Sequence, residues 1–384
     1  MAPGQQTTNR RHNELSTIGN SYQPLESTMS HELTNTNGKI EMAYIGETPW
    51  HGLGQELPEG ATIETWMEAA GMSWLAKRSY VRYATARGQG AEEWKQSESN
   101  CVIFRNDTLA EMGIVSDRFQ IVQPRETLEF FRDLVGAAGG KLATAGTLFG
   151  GRKFWAMATF ATDSTISDKR DSMKLNLLLA TAIDGTMATE GSWIAERVVC
   201  NNTLQIGRGE KTLRVKIRHN TKFVAADVKS DLGIETAQNV FARTVADMRR
   251  MSAVRVSPIQ VVTATAELLN PGFVEMDSDK QSKILRSKPV VTIGELALNG
   301  TAIGAELAGA NGTAYGWLNA VTQYVDHIGR ARSVDGRLDS AWFGPGNAIK
   351  ERAFAIAGDF ETGARENDTA GAVASVDSWL AAHR

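Results

Sequence analysis

The spacing of apolar residues divides this chain into two parts. Up to His219 a period of two recurs, the mark of strands with one face turned inward. Beyond it a period near 3.6 takes over, the mark of helices. Val, Tyr, Ile and Phe are enriched from Ser73 to Thr85 and from Cys101 to Asn106, which predicts two strands joined by the polar link GQGAEEWKQSES. RFQIVQP reads as a strand ending at Pro124. Pro124 then suits the first turn of a helix whose apolar face is Leu128, Phe131, Leu134 and Val135. An earlier short helix is predicted in ATIETWMEAAG, stopped by Gly71.

The middle of the chain is the most regular. KLATAGTLFGGRKFWAMATFAT reads as strand, tight Gly-Gly turn, strand, with Phe154, Ala156, Ala158 and Phe160 alternating against Trp155, Met157 and Thr159. MKLNLLLATAIDGTM adds an apolar run and an Asp184-Gly185 turn signal, so Lys141 to about Ile194 forms a β-meander. RVVCNNTLQIG reads as the start of a helix or a sheet-edge turn, and KTLRVKIRH as a short basic strand. Helical spacing follows over 223–251, 258–269, 313–328, 347–356 and 376–383, with the loop-rich ALNGTAIGAELAGANGTAYG between. The predicted fold class is α+β: an antiparallel meander and hairpin sheet packed with helices, then a helical C-terminal part. The expected division is a disordered arm over residues 1–41, a sheet domain over 42–220 and a helical region over 221–384. Residues 1–40 are rich in Asn, Thr, Gln and Ser, a composition that offsets little of the entropy of ordering, and Met29 reads as a second start.

Composition narrows the function classes without naming one. A hydrophobic content of 42% and a charged content of 22% are those of a folded protein, and the net charge of −3 excludes coating of nucleic acid by bulk charge while leaving room for a local basic groove. The first residues lack the apolar core of an export signal, and no stretch reaches the roughly 20 apolar residues a membrane span needs. With two cysteines, Cys101 and Cys200, and no Cys-x-x-Cys, reduced thiols in a cytoplasmic location are expected.

Candidate chemistry is sparse. Gly146 and Gly151 have P-loop spacing, yet Arg152 stands where the phosphate-binding Lys would be and Lys153 where a Ser or Thr would hold magnesium. The segment also runs from strand to strand, so it reads as a hairpin turn carrying two cations. None of the six histidines has a zinc-like spacing to another ligand, and neither metal nor cofactor is expected. His51, on a Gly-rich loop, reads as a turn cap or a general base, and His327 in YVDHIGRAR as part of a solvated charge cluster. Cys200 follows two valines and reads as buried.

What remains is electrostatic. Between Lys141 and Asn220, twelve Lys and Arg stand against seven Asp and Glu. The cations gather at Arg152 and Lys153, beside Trp155, and at Lys211, Arg214, Lys216 and Arg218. In the last strand the period of two turns Arg214, Lys216 and Arg218 to one face and Leu213, Val215 and Ile217 to the core. Such a surface suits either a nucleic-acid backbone with stacked bases or an ordinary solvated sheet face.

Three blocks add a resemblance: TPWHGLG, LLLATAIDGTMATEGSWIAERVVCNNTL and TAYGWLNAVTQYVDHIGRARSVDGRLDSAWFGPG. In order and spacing, from about Gly46 to Ile356, the chain resembles the phage- and plasmid-like family numbered 932 among domains of unknown function. That resemblance implies a mobile-element origin and the cytoplasm of a bacterial host. The order helix, basic hairpin meander, helix also resembles, as a fold-level analogy, the core of phage single-strand annealing proteins. The leading expectation is therefore a non-enzymatic, homo-oligomeric single-stranded DNA-binding protein of recombination or replication. Arg152, Lys153, Trp155, Lys211, Arg214, Lys216 and Arg218 would be its contact residues, with Asn201 and Asn202 as added hydrogen-bonding groups. The alternatives are a host-directed interaction (counter-defence) protein, contacting a host protein through Trp317, Tyr324, Trp342 and Phe343, and an enzyme whose site assembles from His51, Asp184 and Glu196.

Overall fold

The computed structural model describes residues 34–36, 38–46, 53–85, 93–200, 202–206, 213–221, 233–331 and 333–362. Lys211, His51, Asn201 and the helix expected over 376–383 lie outside them. The α+β class holds, and the strands pair mostly antiparallel.

The first elements come before the expected boundary at residue 42. Strand β1 (Asn35–Thr36) pairs with β2 (Lys39–Ile40), and Glu41 just after them is buried. Strands β3 (Met42–Tyr44) and β4 (Gln55–Glu56) follow, then helix α1 (Ile63–Ala69), whose N-cap Thr62 accepts from the Thr65 amide.

A three-stranded sheet comes next, in the order β5 (Ala76–Ala84), β6 (Trp94–Arg105), β7 (Glu111–Ser116). Two local expectations fail here. The polar link is strand from Trp94 onward, because Gln96, Lys95 and Trp94 pair with Arg82, Tyr83 and Ala84. RFQIVQP is not a strand. The Arg78 guanidinium donates to the carbonyls of Asp117 and Phe119, and the Gln123 amide exchanges hydrogen bonds of 2.9 and 3.0 Å with the Ala76 backbone. Side chains thus satisfy the groups that a ladder would otherwise pair.

Helix α2 (Pro124–Ala138) begins at Pro124 and buries Leu128, Phe130, Phe131 and Leu134. The meander is β8 (Lys141–Leu148), β9 (Lys153–Thr165), β10 (Ser172–Ala182) and β11 (Thr189–Arg197). Short strands β12 (Asn202–Gln205) and β13 (Arg214–Ile217) both pair with β11, opposite Arg197–Ile194 and Ser192–Thr189 respectively. The large sheet therefore runs β12-β11-β10-β9-β8-β3-β4, with β13 continuing the β12 edge.

The alternation along β9 sorts the two faces, and both are covered. Phe154, Ala156 and Ala158 join Leu175, Leu177, Leu179 and Trp193 in the core shared with α1, α2 and the helical region. Trp155 and Met157 join Met42, Leu178, Ala180 and Ile194 on the opposite face, closed by Ala341 and Trp342.

Helices α3 (Ile234–Ala253), α4 (Pro258–Leu269), α5 (Ser278–Leu285), α6 (Lys288–Leu298), α7 (Ala314–Gln323), α8 (Val334–Phe343) and α9 (Pro345–Thr362) follow. Helix α4 starts and stops where its pattern predicts, held by a capping box between Ser257 and Gln260 behind Pro258. Helix α7 runs into a wider π turn over Tyr324–Ile328. The helices do not stand apart from the sheet: the described residues from 34 to 362 form one compact unit.

Two of the buried ion pairs tie layers together. Arg105 of β6 reaches Glu41 at 3.2 Å and lies over the Trp74 ring, joining the three-stranded sheet to the start of β3. Arg197 of β11 grips Asp171 through two bonds of 2.7 Å, takes the Tyr315 hydroxyl onto the same carboxylate, and donates to the carbonyls of Ile303 and Gly304.

Candidate functional site

The cations and the aromatic that the sequence singles out do not form one surface. Trp155 is 1% exposed and packs edge-on to Trp342 at 4.9 Å, so it presents no ring face at the outer surface. Lys153 is buried, paired with Asp339 and set over the Phe343 ring. The alternation that sets residues 153 and 155 on the covered face is the reason, since helix α8 closes that side. Arg152 is exposed at the β8–β9 turn.

On β13 the predicted alternation holds at Arg214 and Lys216, both exposed, with Leu213 and Val215 buried. Arg214 and Lys216, however, both bind Glu190, at 2.6 and 2.8 Å. Burial opposes ionisation of Glu190, but Lys216 and Arg214 outweigh it and hold its carboxyl below the usual range. Asn202 is buried and bonds to Thr322, the Asn319 carbonyl and His327. Of the aromatics considered for a host contact, Trp317 and Trp342 are core and Tyr324 and Phe343 half-buried. Asp184 sits in the β10–β11 turn and Glu196 toward the other end of that hairpin, so they share no site.

Exposed aromatics do occur with cations, at another place. On the β5–β6 arm, Tyr80, Tyr83 and Trp94 are 71, 52 and 58% exposed. Lys77, Arg78 and Lys95 on the same two strands are exposed as well, and so is Arg82, against the exposed acids Glu93 and Glu98. The arm leads to an open groove of about 470 Å³ lined by Ile114, Arg118, Phe119, Asp184, Arg218 and His219. Arg118 and Arg218 line it, and Arg78 ties the arm to its wall by donating to the Asp117 and Phe119 carbonyls, while Phe119 stacks on His219 at 4.2 Å. Among the described residues of the expected set, Arg218 alone belongs to this surface. The signal missed was KRSYVRY, where cations and tyrosines interleave in a strand with no apolar face of its own.

A second feature, a cavity of about 130 Å³, lies between the covered face of the large sheet and the chain from the π turn to α8. Its apolar wall is Met42, Trp155, Met157, Leu338, Ala341 and Trp342. Its polar side is built across the strands. Lys174 stands directly opposite Glu196, and Thr159 opposite Asn176. Thr159 donates to Asn176 Oδ1 at 2.7 Å, and the Asn176 amide donates to Glu196.

Asp326 and His327 reach the cavity from the π turn, a geometry that recurs at functional sites because it re-aims side chains within a helix. Asp326 accepts from buried Lys350 at 2.6 Å and from the Thr203 amide at 2.8 Å. Burial pulls Lys350 below its ordinary range against the pull of Asp326. His327 is not a member of a solvated cluster. Its Nε2–H points at the Cys200 carbonyl, 2.9 Å away, and at Asn202 Oδ1, 3.0 Å away, and burial lowers its pKa despite Asp326. The Cys200 thiol beside it is pushed up to about 11 by burial, which makes it a poor nucleophile. Among the described residues no three His, Cys, Asp or Glu side chains are placed to hold a metal ion, and no helix is long and apolar enough to cross a membrane.

One family model, for a domain of unknown function (DUF932), matches residues 111–342, more than half of the chain. The chain belongs to the DUF932 family. No curated protein and no solved structure matches it. The DUF932 segment runs from β7 through most of α8. It supplies every residue of the cavity except Met42, Tyr44 and Ile45, while β5 and β6 of the arm precede it. Two of the blocks that carry the resemblance, around Glu196–Thr203 and Asp326–Trp342, meet across this cavity.

Proposed function

We propose that this DUF932 protein binds single-stranded nucleic acid, along a track that starts on the β5–β6 arm and continues into the Arg118–Arg218 groove. The observation that carries the reading is the exposure of Tyr80, Tyr83 and Trp94 among Lys77, Arg78, Arg82 and Lys95. Large aromatics left in water on a strand are unfavourable unless something covers them, and flat rings between cations match unstacked bases on a phosphate backbone. A duplex keeps its base faces stacked, so the aromatics favour single strands. The resemblance to mobile-element proteins would set that binding in recombination or replication.

The test is fluorescence anisotropy with a labelled oligothymidylate at low and moderate salt. Tyr80/Tyr83/Trp94→Ala should weaken binding at least tenfold with little change in salt dependence, since each stacked base contributes about 1–3 kcal/mol. Arg118/Arg218→Ala should make the salt slope shallower, by about 0.7 for each phosphate no longer neutralised. No binding by the wild type at low salt, or equal binding by the aromatic triple variant, overturns the proposal.

A further inference from the structure

The cavity behind β9–β11 has a character that the strand-binding track does not use. Its charges cancel in pairs. Lys174 faces Glu196 across the β10–β11 ladder, and Asp326 is met by Lys350. His327 adds no charge near neutral pH, because burial favours its neutral form. A site balanced in this way gives no net attraction to a phosphate, a carboxylate or a free cation, yet it holds both donors and acceptors in a poorly solvated place. The opposite wall is made of two indoles at 76° to each other and the thioethers of Met42 and Met157, soft and polarizable surfaces that favour a flat ring. Size sets the last limit. An apolar cavity of about 150 Å³ accepts benzene, so about 130 Å³ suits one six-membered ring and is tight for a fused bicycle.

From neutrality, paired donor and acceptor, aromatic walls and volume together, we propose that this cavity binds a single-ring nucleobase, a pyrimidine. Its polar edge lies between Lys174 and Glu196 and its ring against Trp155, Met157 and Trp342. The base arrives free, as a nucleoside, or extruded from a strand. The site is separate from the arm: its rim of Thr159, Lys174 and Glu196 lies toward the end of the meander opposite the β8–β9 turn, where Gly151 meets Trp74 and Arg105 of the three-stranded sheet and its approach. Either proposal can therefore fail alone.

The experiment is a titration of the full chain with uracil, cytosine, uridine and cytidine, and with adenine and glycine as contrasts, followed by calorimetry and by tryptophan fluorescence. Saturable pyrimidine binding is expected, with a fluorescence change that Trp342→Phe reduces. Lys174→Met and Glu196→Gln should each weaken binding tenfold or more, Glu196→Gln keeping an acceptor for Asn176. The half-filled variant Ala341→Met should do the same without touching the polar rim, while Tyr80/Tyr83/Trp94→Ala should leave pyrimidine affinity unchanged. Competition by an oligothymidylate would identify the strand as the source of the base, and its absence the free base. No saturation by any pyrimidine, tighter binding of adenine or glycine, or full affinity in Lys174→Met and Glu196→Gln would overturn the assignment.

Discussion

Lys350 donates to Asp326 Oδ1 across 2.6 Å in a place closed to solvent, Lys350 being 1% and Asp326 6% exposed. The pair joins α9 to the π turn, and Thr203 of β12 completes it through its amide and hydroxyl. Lys350→Ala would leave the carboxylate buried without its cation and should cost about 3–5 kcal/mol. The double variant Asp326→Asn/Lys350→Met should recover much of that loss. Urea midpoints of the three proteins check both statements, and a double variant less stable than Lys350→Ala contradicts the account.

Acid should destabilise the fold through its buried histidines. Burial lowers the pKa of both His219 and His327 from the ordinary 6.5. Below 6.5 the unfolded chain takes up protons that the folded chain refuses. Their contribution is therefore intact above that pH and is lost as pH falls toward the folded-state values. The denaturant midpoint should drop between about pH 7 and about pH 5, and His219→Gln/His327→Gln should flatten that part of the profile.

Arg197 cannot be replaced by Lys without loss. Its guanidinium makes two parallel bonds to Asp171 and reaches the Ile303 and Gly304 carbonyls, a fork that one ammonium cannot reproduce. Arg197→Lys should lower stability by about 2–4 kcal/mol, within the range for broken buried pairs. It should also hasten proteolysis in the 300–312 loop, readable as a new cleavage site by mass spectrometry.

Two adjacent glycines should respond differently to Ala. Gly150 has a φ of 72° and nothing within 4 Å of an added Cβ, so the cost is the left-handed backbone alone, about 1 kcal/mol. Gly151, at a φ of 92°, would bring that Cβ to 2.9 Å from Trp74 and 3.0 Å from Arg105. Gly151→Ala should therefore lose clearly more than Gly150→Ala in thermal unfolding, and equal losses would argue against the packing of Trp74 and Arg105 on the β8–β9 turn.

Much of the fold could be read from local pattern. The alternation through Phe154–Phe160, the Asp184-Gly185 turn and the helical spacing from Pro258 to Leu269 are short-range signals, and each marks an element or turn that is present. Helix α8 carries a weak local signal because VDGRLDSAWF contains residues of low helix propensity; it forms where Ala341 and Trp342 cover the β9 face. Strand β7 was hidden by Glu111 and Gly113, the latter closely approached by Asp184. The cavity was not legible at all. Lys174, Glu196, Asp326 and Lys350 meet only once strand register and the π turn are fixed, and no spacing along the chain encodes that meeting. Burial of Trp155 was equally a tertiary matter, since a period of two gives two faces but does not say that both are covered.

The rims of the large sheet are cut short, by two residues of β4 on one side and four each of β12 and β13 on the other. Strand β5 differs: nine residues long, among the described residues it pairs only with β6, and beyond the Gln123 clamp at Ala76 its outer row of peptide groups meets no further strand among them. An identical chain approaching that row would bring its own Lys77, Arg78 and Arg82 against these three. Like charge thus guards the longest open edge among the described residues against zipping into fibres, and the same charge would draw in a polyanion.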